Sequence, residues 1–246
     1  MRMLSLIIFA SIAIVLKSNA CDKCVDYNND DFQIKSVNVR HSEAIAATIW
    51  EIAVKGTAGK TKPIPAGQLN GAPVLGYVFP TTLKPTDVGF SDTDGLVALA
   101  LTSHPDFDDT PLWDEDNDGD YGNDGIIWHP HWVVLTEDTR VEGGLAVKQF
   151  DPNENSVKLP PTNPGMPMYM DSPGFQVMTK ENIIRVVVPD YRMNNRKDFS
   201  YDGVAAYMQV YTGEGEGHGG GDKPMLGVYK VYSVASGDLS LPYTIE

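Results

Sequence analysis

Residues 114–132 of the 246-residue chain read DEDNDGDYGNDGIIWHPHW and place two kinds of metal-binding chemistry side by side. Asp114, Asp116 and Asp118 stand at alternate positions, and Gly119 follows. Alternate carboxylates can converge on one hard cation while a glycine permits the sharp turn, the D-x-[DN]-x-[DN]-G logic of calcium loops. Asp120 then falls where a backbone carbonyl ligates. Asp124 stands just before the position of the closing glutamate, which here is Gly125. Calcium is the expected ion for Asp114, Asp116, Asp118, Asp120 and Asp124, with Asp106, Asp108 and Asp109 as further donors. The bland alternative is a solvated turn, a conformation that Asp and Asn both favour. Charge favours the ion: no Lys or Arg lies between Lys84 and Arg140, a span that holds fourteen carboxylates. Close like charges repel by about 1 kcal/mol even in bulk water, and a bound cation is the natural neutraliser.

Further along, His129 and His131 flank Pro130. In a strand, residues i and i+2 share a face. The two imidazoles therefore project together with Ile127, Val133 and Leu135, while Trp128 and Trp132 take the other face as core. Paired neutral imidazoles suit zinc, copper or iron. Pro130 has no backbone donor, which implies an edge strand or a bulge. A third ligand must come from elsewhere: His104 in SHPDFDD, or His218 in the flexible GEGEGHGGGD stretch. Met166, Met168 and Met170 in MPMYM offer alternate thioethers suited to copper(I), or serve simply as packing residues. The competing reading of the histidine pair is two hydrogen-bonded, partly buried residues that hold the acidic loop.

Three local resemblances follow. The acidic stretch resembles the first half of an EF-hand loop, without flanking amphipathic helices. Gly122, His129, His131, Glu137 and Gly144 give G-x6-H-x-H-x5-E-x6-G, which resembles the first cupin motif with two spacings one residue longer. The histidine of a second cupin motif has no counterpart before His218. HPHW also resembles the H-x-H-W strand of alpha-type carbonic anhydrases, whose third histidine on the following strand has no counterpart here. The first implies calcium held from a loop and the other two a metal held from a strand, and none spans more than about 25 residues.

The elements that must position these groups are short and alternating. Strands are expected at 32–40, 48–55, 74–79, 96–102, 126–135, 145–150, 182–188, 203–211 and 225–234. Within the second, Thr48, Trp50, Ile52 and Val54 share a face opposite Glu51 and Lys55, as period two requires. The alanine-rich segment 41–50 has room for a helical turn; no long helix and no repeat is evident. Such a pattern predicts an all-β chain, a single antiparallel β-sandwich or jelly-roll-like domain with long loops, a barrel remaining open. The long connections are 56–73, 103–125 and 151–174, and loops of that length are usually functional or held by something.

Residues 1–20 are expected to be a cleaved export signal, with Arg2, the apolar run 4–16 and the small residues of SNA at 18–20. The run is too short to span a bilayer comfortably, so no transmembrane span is expected in the mature chain. Residues 21–31 form an N-terminal segment with the C-x-x-C of Cys21 and Cys24, and 32–246 form the β domain. In an exported chain the cysteine pair reads first as a disulfide; a lipid anchor at Cys21 is the lesser alternative. The protein is expected in the periplasm or outside the cell.

The formal charge is −14, and loss of Arg2 and Lys17 with the signal takes it to −16. Such a chain repels nucleic acid and anionic membranes, and metal cations are the expected partners. No G-x-S-x-G nucleophile and no phosphate-binding glycine motif is present. Two readings stand. One is an exported, calcium-stabilised β-sandwich binding protein whose ligand, a carbohydrate, a protein or a metal at the cell surface or in the periplasm, the sequence does not name. The other is a metalloenzyme or metal-binding protein built on His129, His131 and His104.

Overall fold

Each of the nine alternating segments forms a strand, with ends within three residues of those expected. The structure, a computed structural model, describes residues 25–106, 119, 127–213 and 222–246. Residues 1–20, where an export signal is expected, and Cys21, Cys24, Asp108, Asp109, Asp114, Asp116, Asp118, Asp120, Asp124 and His218 lie outside the described residues. In chain order the strands are β1 (Ile34–Ser42), β2 (Ala47–Val54), β3 (Pro73–Pro80), β4 (Leu96–Ser103), β5 (His129–Glu137), β6 (Leu145–Val147) and β7 (Met170–Asp171). They continue with β8 (Val177–Lys180), β9 (Ile183–Pro189), β10 (Ser200–Tyr201), β11 (Val204–Val210), β12 (Leu226–Val234) and β13 (Tyr243–Thr244). The alanine-rich segment supplies one 3-10 turn, Glu43–Ile45, between β1 and β2. Among the described residues no helix is long and apolar enough to cross a membrane.

The fold is all-β and antiparallel, as the alternation requires, but one layer closes on itself. Strands β1, β2, β9 and β8 form an open four-stranded sheet in the order 1-2-9-8. The larger sheet runs β4-β3-β11-β12-β6-β5-β7, and β4 also pairs with β5, so six strands form a closed ring with β7 attached to β5. Closure needs curvature, and β12 supplies it. Its register against β11 skips Tyr232 and then Tyr229, two bulges that bend the strand. The seam between β12 and β6 is short, with Gly227 opposite Ala146 and the Gly143 amide donating to the Val228 carbonyl.

Period-two alternation along the barrel strands divides the interior into two cores. Odd-numbered residues of β3 and β4 (Leu75, Tyr77, Phe79, Val97, Leu99, Leu101) face the open sheet and pack with Trp50, Ile52, Ile184 and Val186. Trp50 stacks on Phe199 at 5.3 Å and meets Trp132 edge-on at 5.9 Å. The N-terminal segment joins this core through Tyr27, which is buried and stacks on Tyr207. Even-numbered residues (Val74, Val78, Ala98, Ala100) line the inside of the barrel with Val133, Leu135, Val204 and Ala206. The interior thus holds mostly small and medium side chains, and a cavity of about 100 Å³ remains in it.

Candidate metal centre

The register of β4 on β5 pairs Thr102 with His129 and Ala100 with His131. Both histidines therefore stand on the interior face of the barrel, two residues apart. His104 lies two residues beyond Thr102 and keeps its parity, so it turns inward at the same end. One ring nitrogen from each of His104, His129 and His131 lies within 4.8 Å of those of the other two. All three rings are buried, at 2%, 5% and 2% exposure. Residues 25 positions apart thus meet because β4 and β5 are neighbours that bracket the acidic connection.

Hydrogen bonds set the rings. His129 Nδ1 lies 2.9 Å from the Ile127 carbonyl. A carbonyl only accepts, so Nδ1 carries the proton and the lone pair sits on Nε2. That Nε2 lies 2.6 Å from His104 Nε2 and 3.5 Å from Thr102 Oγ1. At this separation one ring donates to the other, or the two share a cation. Metal–nitrogen bonds of about 2.0–2.1 Å in tetrahedral geometry place nitrogens about 3.3 Å apart, so a movement of under about 1 Å separates the two arrangements. The His129 and His131 rings are edge-on at 5.0 Å. His131 Nδ1 contacts Ser172 Oγ at 3.1 Å, which makes Nε2 the nitrogen that would ligate. Ser172 is itself buried, its amide donating to the Thr162 carbonyl.

The surrounding elements hold this geometry from behind. Trp128 and Trp132, on the opposite face of β5, are buried in the core between the layers as expected. Trp128 packs on Tyr77 at 4.7 Å, and its Nε1 donates to the Gly59 carbonyl. Of the four tryptophans, Trp50, Trp128 and Trp132 are buried and form no exposed sugar platform; Trp113 lies outside the described residues. Beside Ser172, the Asp171 carboxylate accepts from Thr162 Oγ1 at 2.6 Å and Arg192 Nη2 at 3.2 Å. Burial pushes the Asp171 carboxyl above its ordinary value, opposed by the Thr162 hydroxyl and the Arg192 charge.

Pro130 marks neither an edge strand nor a bulge, since its register on β4 is unbroken. Strand β5 is flanked by β4 on one side and by β6 and β7 on the other. The Val134 amide donates to Tyr169 on that second side, so the even-numbered amides of β5 point there. The pairing with β7 ends at Trp132 opposite Asp171, and Pro130 falls one step beyond it. The missing donor lies where the strand has a neighbour only in β4.

Other expected groups stand elsewhere. Glu137, the acid of the cupin-like spacing, is exposed at the far end of β5 opposite Leu145. The third histidine, His104, comes from the residue just after β4, the strand preceding the H-x-H strand, whereas the carbonic-anhydrase-like pattern has it on the following one. His41 lies on β1, in the other sheet, paired with Asp190 at 2.8 Å. Asp106 accepts backbone hydrogen bonds from Ala66 at 3.0 Å and Gly67 at 2.8 Å, so its carboxylate anchors the 56–72 connection.

A pocket of about 20 Å³ adjoins the cluster, lined by Thr102, His104, His131 and the three methionines Met166, Met168 and Met170, with Val74, Val210 and Leu226. The larger barrel cavity shares Thr102, His131, Met170 and Leu226 with it. Fold and site together define an all-β protein in which an open sheet packs on a closed, barrel-like one that carries a buried three-histidine cluster at one end. Compared with protein-family models, curated proteins and solved structures, the chain matches none of them.

Proposed function

We propose that the protein binds a transition-metal ion through His104, His129 and His131. The observation that carries this reading is the convergence of three buried imidazoles, their ligating nitrogens within 4.8 Å, inside an otherwise apolar barrel. Neutral imidazoles in such a group can converge on one transition-metal ion. The held Nδ1 atoms of His129 and His131 match the outer hydrogen bonds that orient metal-binding imidazoles. Burial on this scale favours holding an ion over processing a macromolecular substrate. The export signal expected at 1–20 would place that activity outside the cytoplasm.

Tag-free protein incubated with each metal in turn, desalted and subjected to elemental analysis tests the reading. One bound equivalent is expected, lost in His104→Ala and His129→Ala. Substoichiometric zinc, copper, iron and manganese in the unaltered chain would defeat it.

Calcium stabilisation by the acidic stretch stands as a separate proposal. Gly119 favours it: its φ of +82° is the left-handed turn that the glycine of such a loop supplies.

A further inference from the structure

The three-histidine centre proposed above leaves the metal's remaining coordination to whatever lines the adjoining pocket. That lining is soft. Met166, Met168 and Met170 share the pocket with His104 and His131, and the rest of its wall is chiefly hydrocarbon. Backbone geometry turns all three methionines the same way. The Met168 amide donates to the Met166 carbonyl at 2.8 Å, and the Met170 amide to the Met168 carbonyl at 2.9 Å. These are two consecutive tight turns of the i to i+2 kind. Tyr169, at the intervening position, packs outward on Phe90 and Phe150. Met168 and Met170 are buried, at 1% and 5% exposure. Methionine at alternate positions is an ordinary way to fill a core. Here all three line the same small pocket as His104 and His131.

We infer that the resident ion is copper(I), held by the three imidazoles with a thioether from the Met166–Met168–Met170 row on the remaining side. Thioether sulfur is a poor donor to hard cations, which take oxygen, and a good one to copper(I). The donors named here are all neutral, which suits a monovalent ion in an apolar interior better than a divalent one. The pocket exceeds the roughly 10–15 Å³ that one water-sized group needs, so a sulfur-coordinated ion fits without opening the barrel. The reading assigns the row a role in metal choice: histidines hold the ion, and methionines select the reduced, soft one.

The test uses the full chain under anaerobic, reducing conditions. Copper(I) affinity is measured by competition with a chromophoric copper(I) chelator, and zinc affinity in parallel. Replacing Met166, Met168 and Met170 by leucine keeps the volume and removes the sulfur. Copper(I) binding should weaken by about tenfold or more, a difference of 1.4 kcal/mol per decade, while zinc affinity changes little. X-ray absorption at the copper edge should show a sulfur neighbour beside nitrogen, replaced by selenium in selenomethionine-labelled protein. That second readout needs no variant and survives if the leucine protein fails to fold. A nitrogen-and-oxygen-only copper shell, or equal weakening of zinc and copper, overturns the inference while leaving the histidine centre standing. Failure of the unaltered chain to bind any ion overturns the centre itself.

Discussion

A metal-binding imidazole is useful only when its second nitrogen is held, and the two histidines of β5 are held in different ways. His129 leans on the carbonyl of Ile127, two residues away, so its orientation travels with the strand. His131 depends on Ser172, 41 residues distant, where the chain leaves β7. Ser172→Ala should therefore lower metal affinity by about 10–100-fold, as loss of an outer hydrogen bond typically does, while one equivalent still binds at saturation. A competition titration reads this; unchanged affinity would show that the serine does not orient the ring. The same contrast explains what could be read from the residues beforehand. The H-x-H alternation places two imidazoles on one face by strand geometry alone, and His104 was the nearer of two possible third ligands. Ser172 carries no such signal, because its contact arises from a two-residue strand pairing far along the chain.

At the scale of elements, the barrel depends on close backbone approaches at its shortest seam. A methyl group on Gly143 would meet the Val228 carbonyl oxygen at 2.5 Å and Val228 Cγ1 at 2.6 Å. The same glycine's amide makes the hydrogen bond to that carbonyl. Gly143→Ala must then separate β6 from β12 or twist the loop that precedes β6. Overpacking of this kind costs about 1–3 kcal/mol, and urea unfolding should show a lower midpoint with an unchanged slope. A midpoint equal to that of the unaltered chain would mean that the seam yields without cost. Strands were legible because Val-, Ile- and Tyr-rich alternation is local. Closure was not, because open sheets and barrels use the same alternation. The difference lies in the β12 bulges at Tyr229 and Tyr232 and in Gly143, long-range features without a distinctive local pattern. The short strands β7, β8, β10 and β13 escaped notice for a related reason: two to four residues are too few for a period to show.

For the whole molecule, the centre and the acidic stretch are joined by connectivity. The connection 105–128 leaves from His104 and returns at His129, and it carries nine carboxylates without a Lys or Arg. Closing a loop of this length gains only modest stability from a metal clip, because the Thr102–His129 pairing already holds its base. The larger effect is expected from calcium in the loop itself. At a hundredfold excess over its dissociation constant, a ligand specific for the folded state stabilises by about 2.7 kcal/mol. In a chain of this size that raises the melting temperature by about 5–10 °C. Millimolar calcium added to metal-depleted protein should produce such a rise, and a calcium chelator should reverse it. If calcium bound there also steadies His104, it tightens the transition-metal site, and by linkage the transition metal must tighten calcium by the same factor. Two titrations, each ion measured with and without the other, should return equal factors above one. Factors of one with an intact calcium shift would make the loop and the histidines independent sites on one chain, and no calcium shift at all would reduce the acidic stretch to a solvated turn.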